Sequence, residues 1–82
     1  MIVVRFFASL REDLATEMVE FDAQPLTTVG DIVNALSSRG DLWRQALSSA
    51  NLLVAVNHAH AEHSTPVNDG DEVAIFPPVT GG

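Results

Sequence analysis

The residues best placed to do chemistry stand together in Phe76-Pro77-Pro78-Val79-Thr80-Gly81-Gly82. The two prolines favour an extended polyproline conformation and cannot donate ladder hydrogen bonds, so a strand reaching this point should stop at Phe76. Val79 and Thr80 are β-branched and also favour extension. Gly81 and Gly82 carry no side chain, so a carboxylate on Gly82 could thread a narrow passage without steric hindrance. Fully extended, residues 77–82 would reach roughly 20 Å from the fold. The expectation is an arm whose chemical group is the α-carboxylate of Gly82. A carboxylate with a pKa of about 3.5 is a poor electrophile at neutral pH, so any acyl chemistry there needs activation from outside. The sequence supplies no nucleophile and base beside that tip, which assigns the catalytic groups to partner proteins.

Two other constellations carry weaker signals. His58, His60 and His63 have the spacing His-x-His-x-x-His, and on a strand His58 and His60 would share a face able to hold a transition metal. Exposed histidines on an edge segment are the commoner meaning of such a pattern, and no metal is expected. Asp69, Asp71 and Glu72 do not form the 12-residue loop of an EF-hand. They read as turn formers on a solvated acidic edge.

Composition narrows the function classes. Eleven acidic residues face four basic ones, all arginine, for a formal charge of −7. Nucleic-acid binding needs a basic face and is therefore not expected. An acidic surface instead steers toward basic patches on protein partners. There is no cysteine, hence neither a thiolate nucleophile nor a disulfide. There is no lysine, so the chain offers no side-chain amine for an isopeptide bond with its own kind. No apolar run approaches the roughly 20 residues that span a bilayer, and Met1 leads directly into a candidate strand. The expectation is a cytoplasmic protein.

The elements that must position the arm follow from periodicity. Ile2 to Ala8 reads as a strand with Ile2, Val4 and Phe6 in the core and Val3, Arg5 and Phe7 on the other face. Ser9 to Ala15 reads as a connection with a helical turn around Arg11-Glu12-Asp13. Thr16 to Phe21 is a second strand, pairing with the first as a hairpin. Thr28 is an N-cap with Asp31 completing a capping box, and Val29, Ile32, Val33 and Leu36 form the apolar stripe of the main helix. Arg39 and Gly40 supply its basic last turn and stop. A short second helix is expected within Asp41 to Ala50, with Trp43 packed in or near the core.

Leu52 to Val56 reads as a strand buried on both faces. Asn57-His58 turns the chain into a short edge segment near His60 to Glu62. Asn68-Asp69-Gly70-Asp71 is a turn. Glu72 to Phe76 is the last strand, with Val73 and Ile75 inward and Ala74 and Phe76 outward. The predicted class is α+β, a mixed sheet on one main helix in the order β-β-α-β-β, with residues 1–76 as the domain and 77–82 as an extended tail. The first and last strands should lie parallel in the middle. Phe7, Phe76, Val3 and Ala74 then make an apolar patch on the sheet face away from the helix, suited to an interface.

The run from Asp69-Gly70-Asp71-Glu72-Val73 to Phe76-Pro77-Pro78-Val79-Thr80-Gly81-Gly82 resembles the C-terminus of the small, sulfur-carrier subunits of molybdopterin synthase. Phe6-Phe7-Ala8 with Arg11-Glu12, and Ala55-Val56-Asn57, fall where that family carries similar residues. Ala15, where relatives commonly have glycine, departs from the pattern, as do the histidines. The resemblance implies a ubiquitin-like β-grasp fold. It also implies a carried reagent with no stably bound cofactor. An activating enzyme using ATP would adenylate the carboxylate of Gly82, which then becomes a thiocarboxylate. The tail, with Gly81 and Gly82 at the reacting end and Phe7, Phe76, Pro77, Pro78, Val79 and Thr80 contacting the partner, would insert into the large synthase subunit. There sulfur passes to a cyclic pyranopterin precursor to build the dithiolene, in an assembly of two small and two large subunits. Rival readings are a sulfur carrier for thiamine or for a tungsten-enzyme pterin, a ubiquitin-like protein modifier, and a binding module with an inert tail.

Overall fold

Alternation of apolar and polar residues becomes a five-stranded mixed sheet in the computed structural model, which describes residues 1–22, 24, 27–48 and 52–77. The strands are β1 (Ile2–Phe6), β2 (Met18–Phe21), β3 (Leu53–Val56), β4 (Ala59–Ala61) and β5 (Glu72–Phe76), and the helices are α1 (Ala8–Leu14), α2 (Val29–Ser37) and α3 (Asp41–Ala46). Their order across the sheet is β2-β1-β5-β3-β4. β5 is central, parallel to β1 on one side and antiparallel to β3 on the other. This is the expected mixed sheet with the first and last strands side by side. The chain order is richer than β-β-α-β-β, because the edge segment is a true strand and two further helices flank the main one.

Every second strand residue meets the helices. Ile2, Val4, Phe6, Val73 and Ile75 are buried, and they close on Ile32, Val33 and Leu36 of α2 and Leu10 and Leu14 of α1. Each large apolar side chain so buried contributes about 1.5–3 kcal/mol. α1 was expected only as a turn. It is a seven-residue helix because Leu10 and Leu14, four apart, both reach the core. Ala15 ends it in the left-handed region at φ 49°, ψ 35°. Its N–H donates to the Glu12 carbonyl, and the Thr16 N–H donates to that of Arg11, each at 3.2 Å. Those two bonds define a Schellman stop, whose left-handed position ordinarily belongs to glycine. The departure at Ala15 is thus a residue with a Cβ where none is favoured.

The capping box of α2 is present: Thr28 Oγ1 accepts from the Asp31 N–H at 3.2 Å, and Asp31 Oδ2 accepts from the Thr28 N–H at 3.0 Å. The remaining first-turn donors are satisfied by a loop, with Val29 N–H donating to the Thr65 carbonyl at 3.0 Å and Gly30 N–H to that of His63 at 2.9 Å. The helix end departs from expectation. Arg39 lies beyond the last turn and covers two rings, 5.1 Å from the Trp43 centroid and 5.9 Å from that of Phe21. Gly40 opens α3 at φ 154°. Trp43 is half-buried, edge-on to Phe6 with centroids 5.6 Å apart. Among the described residues no helix is long and apolar enough to cross a membrane.

Candidate docking face

The site begins with the pleat of β1 and β5. Because Phe6 and Ile75 point inward, Arg5, Phe7, Ala74 and Phe76 point away from the helices. Phe7 keeps an extended backbone at φ −128°, ψ 157°, and its N–H donates to the Ile75 carbonyl at 3.2 Å. Ala8 then turns into the left-handed region at φ 53°, so Phe7 is the last outward residue before the chain leaves for α1. Parallel pairing sets the Phe7 ring against that of Phe76, centroids 4.6 Å apart and planes 14° apart. Phe7 stays 36% exposed. The patch expected from Phe7, Phe76, Val3 and Ala74 is therefore assembled, and it lies where β5 hands the chain to Pro77.

The sequence reading missed half of this face. Leu52 to Val56 was expected to be buried on both sides. Only Val54 within β3 is buried, while Leu53 is 39% exposed. Leu53 pairs with Phe76 and Ala55 with Ala74, so β3 extends the patch. The physical reason is that no helix covers this side. The alternation Leu53, Ala55 around Val54 was the available signal. At the patch's flank Arg5 Nε donates to Glu72 Oε2 at 2.9 Å, an ion pair with both side chains partly exposed. Such a pair is worth at most about 1 kcal/mol in stability, but it sets a polar boundary.

Asn57, in the quoted Ala55-Val56-Asn57 run, has a structural job. Asn57 and His58 both have positive φ, 50° and 71°, as the tight turn between β3 and β4 requires. The Asn57 Nδ2 donates to Asp71 Oδ1 at 2.9 Å, and its Oδ1 accepts from the Glu72 N–H at 3.0 Å, tying that turn to the start of β5. Asp71 also accepts from the Asn68 N–H. These two bonds, the Asn68 one first, hold the Asp71 carboxyl below its ordinary pKa. Asp69 is lowered as well, by a hydrogen bond from the Met1 ammonium and by its charge.

His58 is a turn residue, so strand alternation does not put it on one face with His60 as expected. His60, opposite Ala55 on β4, lies on the outer face. His63 enters the α2 contacts through its carbonyl. Among the described residues no three histidine or carboxylate side chains gather as a metal set. Pro77 is half-buried. Pro78, Val79, Thr80, Gly81 and Gly82, and with them the reacting end and the extended arm, lie outside the described residues.

The model of the ThiS family matches residues 4–82, through the docking face and into the last glycine. The chain belongs to the ThiS family. It is 44% identical over 82 residues to the molybdopterin synthase sulfur carrier subunit of Escherichia coli K12, covering 100% of both chains. It is 38% identical over 82 residues to the protein of that name in Haemophilus influenzae, again covering 100% of both. Among solved structures, the small archaeal modifier protein 1 of Haloferax volcanii superposes with a TM-score of 0.77 at 28% identity, covering 95% of this chain and 97% of that one. The β-grasp arrangement of this ThiS-family chain is thus that of its relatives.

Proposed function

We propose that this ThiS-family chain is the sulfur-carrier subunit of a molybdopterin synthase. The single observation that carries the reading is the full-length match to carrier subunits, running through the aromatic face and the Pro-Pro-Val-Thr-Gly-Gly ending. The domain of residues 1–76 holds a partner against its open sheet face, and residues 77–82 extend into that partner's active site. An activating enzyme transfers AMP from ATP to the Gly82 carboxylate, with pyrophosphate leaving. A sulfur donor then displaces AMP, leaving a thiocarboxylate. In the large synthase subunit this sulfur passes to the cyclic pyranopterin precursor as the dithiolene forms. The chain is a reagent in this scheme: it binds no cofactor of its own, and the catalytic groups sit on the large subunit, in a hetero-oligomer. The acidic surface suits basic partners, and the stacked Phe7 and Phe76 supply an apolar anchor of the kind that dominates interface energetics.

The test is the intact mass of the protein taken from its native cell with cofactor synthesis blocked at the last step. A species heavier by one exchange of sulfur for oxygen, located on the peptide ending at Gly82, is the expected result. Carboxylate alone under that block would overturn the reading. A second reading, a protein modifier, draws support from the similarity to the small archaeal modifier protein. It predicts Gly82 in isopeptide linkage to lysines of other proteins, which the same peptide analysis detects.

A further inference from the structure

The histidine of β4 belongs to no metal set, yet it stands at the border of the docking face. His60 pairs with Ala55, and with Leu53, Ala55 and Phe76 it lines one groove on the outer sheet surface, continuous with the stacked aromatic pair. The small side chains of Ala55 and Ala74, adjacent across β3 and β5, leave the floor of that groove low. A partner covering Phe76 therefore also covers the imidazole.

We infer that the docking face extends across β3 to His60, and that it accepts an apolar side chain from a basic partner surface only while the His60 imidazole is uncharged. This rests on the reading of the sheet face as the docking surface for the large subunit. Two observations fix the occupant and the sign. The groove is apolar apart from His60 itself, so the complementary side chain is apolar and brings no counter-charge to an imidazolium being stripped of water. The chain's charge of −7 selects partners of positive potential, which oppose a further cation at the contact.

The groups around His60 do not reverse this. β3, the strand packed against it, turns Leu53 and Ala55 outward beside it. Along its own segment stand His58 in the turn, Glu62 and His63. Glu62 and His63 lie past the end of β4, and on β5 the Glu72 carboxylate is taken by Arg5. An imidazole is the side chain that ordinarily changes charge between about pH 5 and 8, so docking should weaken as the solution is acidified through that range.

The experiment measures affinity of the full-length chain for the purified large subunit from the same cell, between about pH 8 and about pH 5.5, for the wild type and His60→Gln. Taking the ratio of the two affinities cancels titration elsewhere in either protein. The expected result is a ratio that falls about tenfold on acidification, with His58→Gln and His63→Gln behaving as wild type. Parallel profiles for wild type and His60→Gln would overturn the inference. So would a ratio that rises, since it would mean the partner presents a carboxylate. Phe76→Ala separates this from the underlying reading: if it weakens binding while the His60 profiles stay parallel, only the role of His60 fails. If Phe76→Ala leaves affinity unchanged, the sheet face is not the docking surface, and both fall.

Discussion

Ala15→Gly should make this protein more stable. A residue with a Cβ in the left-handed helical region costs about 1–2 kcal/mol relative to the right-handed one, because the Cβ crowds the following carbonyl. Ala15 occupies that region at φ 49°, ψ 35° with both Schellman bonds in place, so the geometry is held rather than avoided. Glycine removes the crowding but adds unfolded-state freedom worth about 0.4–1 kcal/mol against folding. The difference is a net gain of about 0.5–1 kcal/mol. For a domain of this size that raises the thermal midpoint by about 3–6 °C. Thermal unfolding followed by far-ultraviolet circular dichroism, checked by urea midpoints at constant m-value, measures it. Ala15→Val, β-branched, should move the midpoint downward. A lower midpoint for Ala15→Gly would refute the reasoning, because it would mean that this connection does not adopt the left-handed stop.

Three further outcomes follow from the same geometry. Phe7→Ala and Phe76→Ala should each leave the fold intact and weaken large-subunit binding by about 2 kcal/mol or more, roughly 30-fold. The double variant's effect on stability should fall short of the sum by the stacking energy of about 0.5–1.5 kcal/mol, and strict additivity would contradict the stacked pair. Gly30→Ala should gain nothing despite a helix propensity advantage of about 1 kcal/mol. A Cβ there would stand 3.2 Å from the His63 carbonyl, which already accepts from the Gly30 N–H. A clear rise in urea midpoint would show that the loop yields freely. For acid, the folded-state pKa values of Asp69 and Asp71 are depressed, so their contribution is present above the unfolded value and is lost as pH falls through the folded values. Both groups are exposed and the effect is small. Asp71→Asn should still narrow the difference in urea midpoint between about pH 7 and about pH 2.5, and an unchanged difference would contradict its hydrogen-bonded role.

What the sequence made legible was whatever depends on local periodicity. Ile2, Val4, Phe6, Val73 and Ile75 were assigned inward by alternation alone, and Thr28 with Asp31 announced the helix start. What it left hidden depends on which surfaces are covered. Leu53 looks like a core residue in the run Leu52 to Val56, because nothing local says that β3 has a helix on one side only. Arg39 looks like a helix-terminal cation, yet two rings brought together by tertiary packing take it instead. α1 was illegible for a related reason: seven residues with no side-chain cap form a helix only because Leu10 and Leu14 dock. The docking face was half legible, with Phe7 and Phe76 foreseen and Leu53 and His60 not. The Pro-Pro-Val-Thr-Gly-Gly motif was the most specific signal of all.

The placement of β5 joins stability to function. Of the five strands it has two inner residues with no exposure, Val73 and Ile75, and it is hydrogen-bonded on both edges. Its start is also tied to the β3–β4 turn through Asn57. The segment that leads into Pro77 is therefore anchored in the most constrained strand of the sheet. Local opening in proteins concentrates where backbone hydrogen bonds are exposed and apolar contacts few, and β5 has neither property. A partner that draws on residues 78–82 pulls against a ladder on both sides of β5 and a buried core. Its docking energy can then go into seating the tail rather than re-forming frayed strand. Phe76 stands at the junction, with its backbone in the ladder and its ring on the open face. The partner's grip on the aromatic pair and the direction in which the chain departs are thereby set by one residue.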